Sequence, residues 1–245
     1  MNIGDGSLFR ENEDRPQINK EEIEMEECKI KNLYNLEETI AKSLLEEITY
    51  PWEALPKIKE FILEIGNKLD PEIYKLKGEN IWIAKSAKVM PTAYIKGPAI
   101  IGENTEIRHC AFIRGNAIVG DNAVVGNSTE LKNVILFNNV QVPHYNYVGD
   151  SILGYKAHMG AGSITSNVKS DKKLVIVKNC TQTMETGLKK FGAMIGDNVE
   201  VGCNSVLNPG TVIGRSSNIY PLSSVRGVVP ANSIYKNKNE IVNKK

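Results

Sequence analysis

Ten consecutive positions six residues apart are apolar: Ile83, Val89, Ile95, Ile101, Ile107, Ile113, Val119, Val125, Leu131 and Phe137. In a chain with 41% hydrophobic residues, such a run at a chosen phase arises by chance about once in ten thousand. Four residues after each of the first eight comes a column of small residues: Ala87, Ala93, Ala99, Thr105, Ala111, Ala117, Ala123 and Thr129. A helix of 3.6 residues per turn cannot keep a six-residue column on one face, whereas short strands joined by tight turns around a prism can. Turn residues such as Gly102-Glu103-Asn104 and Gly120-Asp121-Asn122 supply the dihedral freedom that corners need. The period therefore predicts an all-β chain, a left-handed parallel β-helix of hexapeptide repeats. Three hexads make one triangular coil, so residues 18 apart stack at roughly the inter-strand spacing of 4.8 Å.

The β-helix is expected over 80–235, with open edges that must be capped or paired. Its phase slips at Val142 and Val148 and returns at Ile195, Val201, Leu207, Ile213, Ile219 and Val225. An insertion at 167–191 breaks the repeat; such an excursion is either a functional loop or a tolerated surface segment. Residues 31–79 read as helical. Leu36, Ile40, Leu44, Leu45 and Ile48 follow an Asn35 cap with Glu38 three residues on, and Trp52 to Ile65 forms a second amphipathic pattern ended near Gly66 and Pro71. This short helical pair is expected to cap the first coil or to bind a partner. Residues 1–30 read as a disordered arm and 236–245 as a basic tail.

No apolar run approaches a membrane span, and the start of the chain lacks a signal-peptide pattern. The formal net charge of +1 gives no reason to expect nucleic acid. Cys28, Cys110, Cys180 and Cys203 show no CxxC pair and read as reduced thiols of a cytoplasmic protein.

Lys96, Arg114 and Lys132 each follow an apolar hexad position and lie 18 apart, so they are expected to stack as one cationic column. Like charges repel across neighbouring strands. The column is thus either a tolerated surface or a seat for an anion such as a sugar phosphate. His144 lies in the out-of-phase stretch VPHYNYVGD, flanked by Tyr145 and Tyr147, and imidazole is the usual general base near neutral pH. The spacing of the three histidines, His109, His144 and His158, does not suit a zinc site, so no metal is expected.

The block VGNSTELKNVILFNNVQVPHYNYVGDSILGYKAHMGAGSITSN, followed by KKFGAMIGDNVEVG, resembles the acetyltransferase half of the N-acetylglucosamine-1-phosphate uridyltransferase/glucosamine-1-phosphate acetyltransferase family. Its resemblance to the archaeal-type sugar-1-phosphate nucleotidylyltransferases related to that family, which share the insertion, is closer still. The resemblance covers about residues 80–230. It implies a homotrimer that acetylates an amino-sugar 1-phosphate from acetyl-coenzyme A in nucleotide-sugar synthesis. Carried over by position, His144 is the base, and Arg114, Lys132, Tyr147, Asn167 and Lys173 hold the sugar phosphate. Ala161 and Cys203 line the coenzyme groove, and Lys238 meets the coenzyme phosphate or is merely a solvated cation. Backbone amides of Gly160–Ser163 would steady the oxyanion. His158 and Val168 depart from the family pattern, which leaves the acceptor open. About 80 residues precede the repeats, without a glycine-rich phosphate loop, so nucleotidyltransferase activity is not expected in this chain. The rivals are a trimeric scaffold that has lost the chemistry and an acyltransferase with another acceptor.

Overall fold

The computed structural model of the protein describes residues 24–244. From Ile81 onward the chain winds as the left-handed parallel β-helix that the period predicts. Its short strands form three faces. The first runs through Ile81–Ala84, Ala99–Ile101, Ala117–Val119, the second half of Glu130–Leu136, the second half of Tyr147–Leu153, Ala193–Ile195, Thr211–Ile213 and Val228–Val229. The second is the wall Tyr94–Ile95, Phe112–Ile113, the first halves of the two long strands, Ile164–Thr165, Val206–Leu207 and Ser224–Val225. Strands from Lys88–Val89 to Ser233–Asn237 make the third.

From Ala99 onward the apolar column fills the interior and the small column beside it is buried, whereas in the first coil Val89 is exposed and Ala87 and Ala93 are only partly buried. The hydroxyls of the small column are satisfied: Thr105 Oγ1 donates to the Gly120 carbonyl at 2.7 Å and Thr129 Oγ1 to that of Val142 at 3.0 Å. Corners turn on left-handed residues, mostly asparagine, such as Asn104, Asn122 and Asn139 (φ 55°, 55° and 61°), whose side chains tolerate that conformation best after glycine. The slip differs from the sequence reading. Strand registers place the two five-residue steps between Leu131 and Leu136 and between Val148 and Leu153, so Leu136, not Phe137, stacks with Val119.

The first face is buried on both sides. Ile100, Ile118, Ile135, Ile152, Met194 and Val212 alternate with the interior residues and so point outward, yet none is more than 1% exposed. The N-terminal segment covers them. It consists of short helical turns at Glu26–Cys28, Ile30–Leu33, Leu36–Glu38, Lys42–Glu46 and Pro51–Ala54, then a helix Ile58–Gly66. Removing each aliphatic side chain from water contributes about 1.5–3 kcal/mol. The helical cap therefore extends past the first coil: Ile58–Gly66 packs on the strands of three coils, and Leu33 and Asn35 reach Asp197.

Three boundaries differ from the sequence reading. The arm expected over 1–30 lies outside the described residues up to 23, but 24–30 are folded, with Met25 and Cys28 fully buried. Tyr74–Gly78, within the expected helical stretch, is an antiparallel strand that closes the edge at Ile81–Ala84. The basic tail folds back as Glu240–Asn243 against Ser233–Asn237 and closes the other edge. Backbone pairing at both ends removes the exposed donors and acceptors that would recruit another strand. No helix among the described residues is long and apolar enough to cross a membrane.

Asp197 fastens the cover. It is 4% exposed; its carboxylate accepts the Asn35 amide at 2.7 Å and the Tyr155 amide at 2.8 Å, with Arg215 at 3.4 Å. Burial pushes this carboxyl up, and the two amides oppose that shift. Asp197→Ala strands buried donors, so a loss of about 1–3 kcal/mol is expected, with faster amide exchange confined to residues 30–40. Unchanged exchange there would refute the fastening role.

Candidate functional site

The outward side chains of the second face form one ladder: Tyr94, Phe112, Glu130, Tyr147, Ile164, Val206 and Ser224. The predicted residues fall on the two borders of this wall. His144 stands on one. Arg114, Lys132 and Asn167 stand on the other, with the ladder between the two.

The imidazole border is built by a constrained backbone. His144 pairs with Asn127 of the preceding coil. Its amide donates to Asn146 Oδ1 at 3.1 Å and its carbonyl accepts the Gly162 amide at 3.0 Å. Tyr145 turns the corner with φ 52°. Asn146 is only 2% exposed and donates from Nδ2 to the carbonyls of Gly160 (2.9 Å) and Ser163 (3.1 Å). These bonds fix where the side chain of His144 emerges, and that residue is exposed. On the same border, Ala161, Cys203 and Pro221 follow in successive coils: Asn204 donates to the Ala161 carbonyl and Leu222 to that of Cys203. The strip below the imidazole is thus lined by small groups.

The strip leads into a cavity of about 600 Å³ lined by Lys178, Cys180, Pro221, Arg226, Lys236 and Lys238, among others, with no carboxylate in its wall. Lys236 is paired with Glu240 at 2.5 Å. The insertion contributes one side. Its strands Ile176–Lys178 and Thr183–Glu185 form a hairpin seated along its own chain, with Val175 and Val177 fully buried. Lys238, exposed in the turn between the last two strands, lines this cavity.

On the opposite border the cationic column is neutralised. Arg114 Nη1 meets Glu130 Oε1 at 2.7 Å, and this hydrogen bond raises the guanidinium pKa further. Lys132 Nζ binds both oxygens of Asp150 at 2.8 and 2.9 Å. Lys96 is stacked with them through the Ile113 carbonyl but is exposed. Asn167 Nδ2 donates to Asp150 Oδ2 at 2.5 Å and to the Tyr147 hydroxyl at 3.2 Å. Burial, then the nearby Asp150 and Glu130 carboxylates, push the Tyr147 phenol up, so it remains protonated and able to donate near neutral pH.

The structure thus joins Lys132, Tyr147 and Asn167 in one hydrogen-bonded group, with Arg114 beside it on Glu130. Lys173 is not joined to them by a hydrogen bond or ion pair among the described residues; it is exposed on the insertion, where its amide donates to Asp171 at 3.0 Å. The amides of Gly160, Gly162 and Ser163 are already committed to the carbonyls of Val201, His144 and Gly160. Of the four expected oxyanion donors, only Ala161 N–H is uncommitted among the described residues. His109 lies on the His144 border two coils away, with Asn127 between, and binds Thr92 at 3.0 Å. His158 is on the third face, 2.7 Å from Glu200. Among the described residues no three His, Cys, Asp or Glu side chains gather as a metal-holding group.

The sequence reading missed Glu130, Asn146, Asp150, Lys178 and Arg226. Asp150 carried a signal, since it is the next residue 18 beyond Lys132. The others become visible only when the coils stack.

Residues 95–190 match the family model described as GMPPB C-terminal domain. The chain is 32% identical over 217 residues to the bifunctional protein GlmU of Methanococcus maripaludis, a match that takes in 80% of this chain and 48% of that protein. It is 34% identical over 112 residues to a bifunctional sugar-1-phosphate nucleotidylyltransferase/acetyltransferase of Sulfurisphaera tokodaii, covering 46% of this chain and 28% of the relative. Among solved structures, a variant of perosamine N-acetyltransferase from Caulobacter crescentus in complex with CoA and GDP-perosamine aligns at a TM-score of 0.35 and 17% identity, over 67% of this chain and 56% of that one. The chain spans at most about half the length of the two sequence relatives. Across four-fifths of its residues the chain is therefore similar to about half of a GlmU protein.

Proposed function

We propose that the chain is an N-acetyltransferase that moves the acetyl group of acetyl-coenzyme A onto the amine of an amino-sugar 1-phosphate. The observation that carries this reading is the pairing of two borders on one wall. One runs from an exposed imidazole along small side chains to a cationic cavity. The other holds an arginine, a lysine, a tyrosine and an asparagine amide. A thioester carried on a polyphosphate nucleotide suits the first border, and a phosphorylated sugar suits the second.

In this mechanism His144 takes a proton from the bound ammonium and the freed amine attacks the thioester carbonyl. The tetrahedral intermediate gives up its second amine proton to solvent and collapses with loss of the coenzyme thiolate, which takes the proton held by His144. Positioned proton transfer of this kind contributes about 10²–10⁴-fold. Ala161 N–H steadies the oxyanion. Arg114 and Lys132 hold the phosphate, and Tyr147 and Asn167 the sugar. The exposed Tyr94, Phe112, Tyr145, Tyr220 and Leu222 suit a homotrimer whose subunits meet along this wall.

The experiment is thiol release from acetyl-coenzyme A with glucosamine 1-phosphate, then galactosamine 1-phosphate, as acceptor. Acceptor-dependent release supports the reading; none with either sugar refutes it. The cavity gives a separate prediction. Replacing Arg226 and Lys238 together by alanine removes two charge-assisted contacts, each about 1.5–3 kcal/mol. The KM for acetyl-coenzyme A is expected to rise at least about tenfold, which corresponds to about 1.4 kcal/mol, with the acceptor KM unchanged. An unchanged coenzyme KM would remove the cavity from the site.

A further inference from the structure

Asp150 is the most connected polar side chain beside the wall. It is 3% exposed and turns with φ 47°. Its two oxygens take four hydrogen bonds: two from Lys132 Nζ, one from Asn133 Nδ2 at 3.0 Å and one from Asn167 Nδ2 at 2.5 Å. The same Asn133 amide donates to the Leu55 carbonyl of the helical cover at 3.2 Å. The Asp150 carbonyl accepts the Gly192 amide at 2.8 Å, and the Asn167 carbonyl accepts that of Phe191 at 3.0 Å. One residue therefore ties Lys132 and Asn167 to both ends of the insertion and to the helical segment.

A carboxylate this buried is costly unless its neighbours satisfy it, and here two of the donors are the groups assigned to the acceptor. The lysine is too hydrated and flexible to hold one geometry by itself. Bound through both carboxylate oxygens, its ammonium is aimed, and Asn167 is drawn toward the Tyr147 hydroxyl by the same anchor. Resting on the acetyl-transfer reading above, we infer that Asp150 is a positioning residue that presets Lys132 and Asn167 for the sugar phosphate and links the acceptor side of the wall to the base of the insertion.

The test is steady-state kinetics with acetyl-coenzyme A and glucosamine 1-phosphate on the full chain, comparing wild type, Asp150→Asn, Lys132→Met and the double variant. An asparagine keeps the shape but turns one acceptor into a donor facing the amides of Asn133 and Asn167. The acceptor KM is expected to rise about tenfold or more in Asp150→Asn, with the coenzyme KM within twofold of wild type. The double variant is expected to lose less than the product of the two single losses, because Asp150 acts partly through Lys132 and residues acting as one unit are non-additive. Equal rises in both KM values, or multiplicative losses in the double variant, would overturn the assignment. If Asp150→Asn fails to fold, the charge-neutral double variant against Lys132→Met reads what Asp150 does through Asn167: a further rise in the acceptor KM alone supports the inference, and no further rise, or an equal rise in both KM values, overturns it. No acceptor-dependent turnover in the wild type would overturn the acetyl-transfer reading and this inference with it, whereas wild-type turnover with an unchanged acceptor KM in the variant would overturn this inference alone.

Discussion

His144→Ala is expected to lower kcat for acetyl transfer by about 10²–10⁴-fold, the range for loss of a positioned base, while leaving the fold and coenzyme affinity intact. The separation follows from the structure. His144 is exposed, and the bonds that shape its corner come from its backbone and from Asn146, all of which survive truncation to alanine. Thermal shift should still report coenzyme binding, since a ligand at 100 times its Kd stabilises the folded state by about 2.7 kcal/mol. A variant that keeps more than a tenth of wild-type kcat would exclude His144 as the base. One that loses coenzyme binding as well would place the imidazole in cofactor recognition.

The largest structural effect is expected at Gly126. It lies opposite Pro143, between the pairs Val125 with Val142 and Asn127 with His144. A Cβ added there would sit 1.5 Å from the Pro143 carbonyl oxygen, backbone against backbone, where no rotamer change relieves the clash. Overpacking of this kind typically costs 1–3 kcal/mol and occasionally more; with the strand itself displaced, about 2–4 kcal/mol is expected for Gly126→Ala by denaturant unfolding. Because the displaced residue precedes His144, turnover should fall by more than the loss of folded protein explains. A variant as stable as the parent would mean that the two coils separate at this corner without cost.

These predictions differ in how visible their grounds were. His144 stood out because it interrupts a counted repeat, and Arg114 and Lys132 because 18 residues make one regular coil. The same arithmetic read the column as bare charge, for it ignored what comes one position to either side. Glu130 is one strand residue from Leu131, and Asp150, inside the second five-residue step, pairs with Lys132. Lys173 is the opposite case. Its place in a loop is set by the path of the hairpin, which seats itself by burying Val175 and Val177, and that path carries Lys173 to the surface.

Sequence by itself determined the solenoid, its three-sided interior and the edges in need of closure. The six-residue period is local, and each short strand shows its inward residue directly. It also marked helical segments before the coils, through spacing that is equally local. Only the tertiary structure decided that those segments lie along the first face, leaving the second as the open wall. It alone brought the insertion, Arg226 and the C-terminal hairpin around one cavity, and set a carboxylate against each of Arg114 and Lys132. The physical reason is register. Which side chains meet across coils depends on the exact number of residues in every intervening turn, and a single five-residue step exchanges one neighbour for the next.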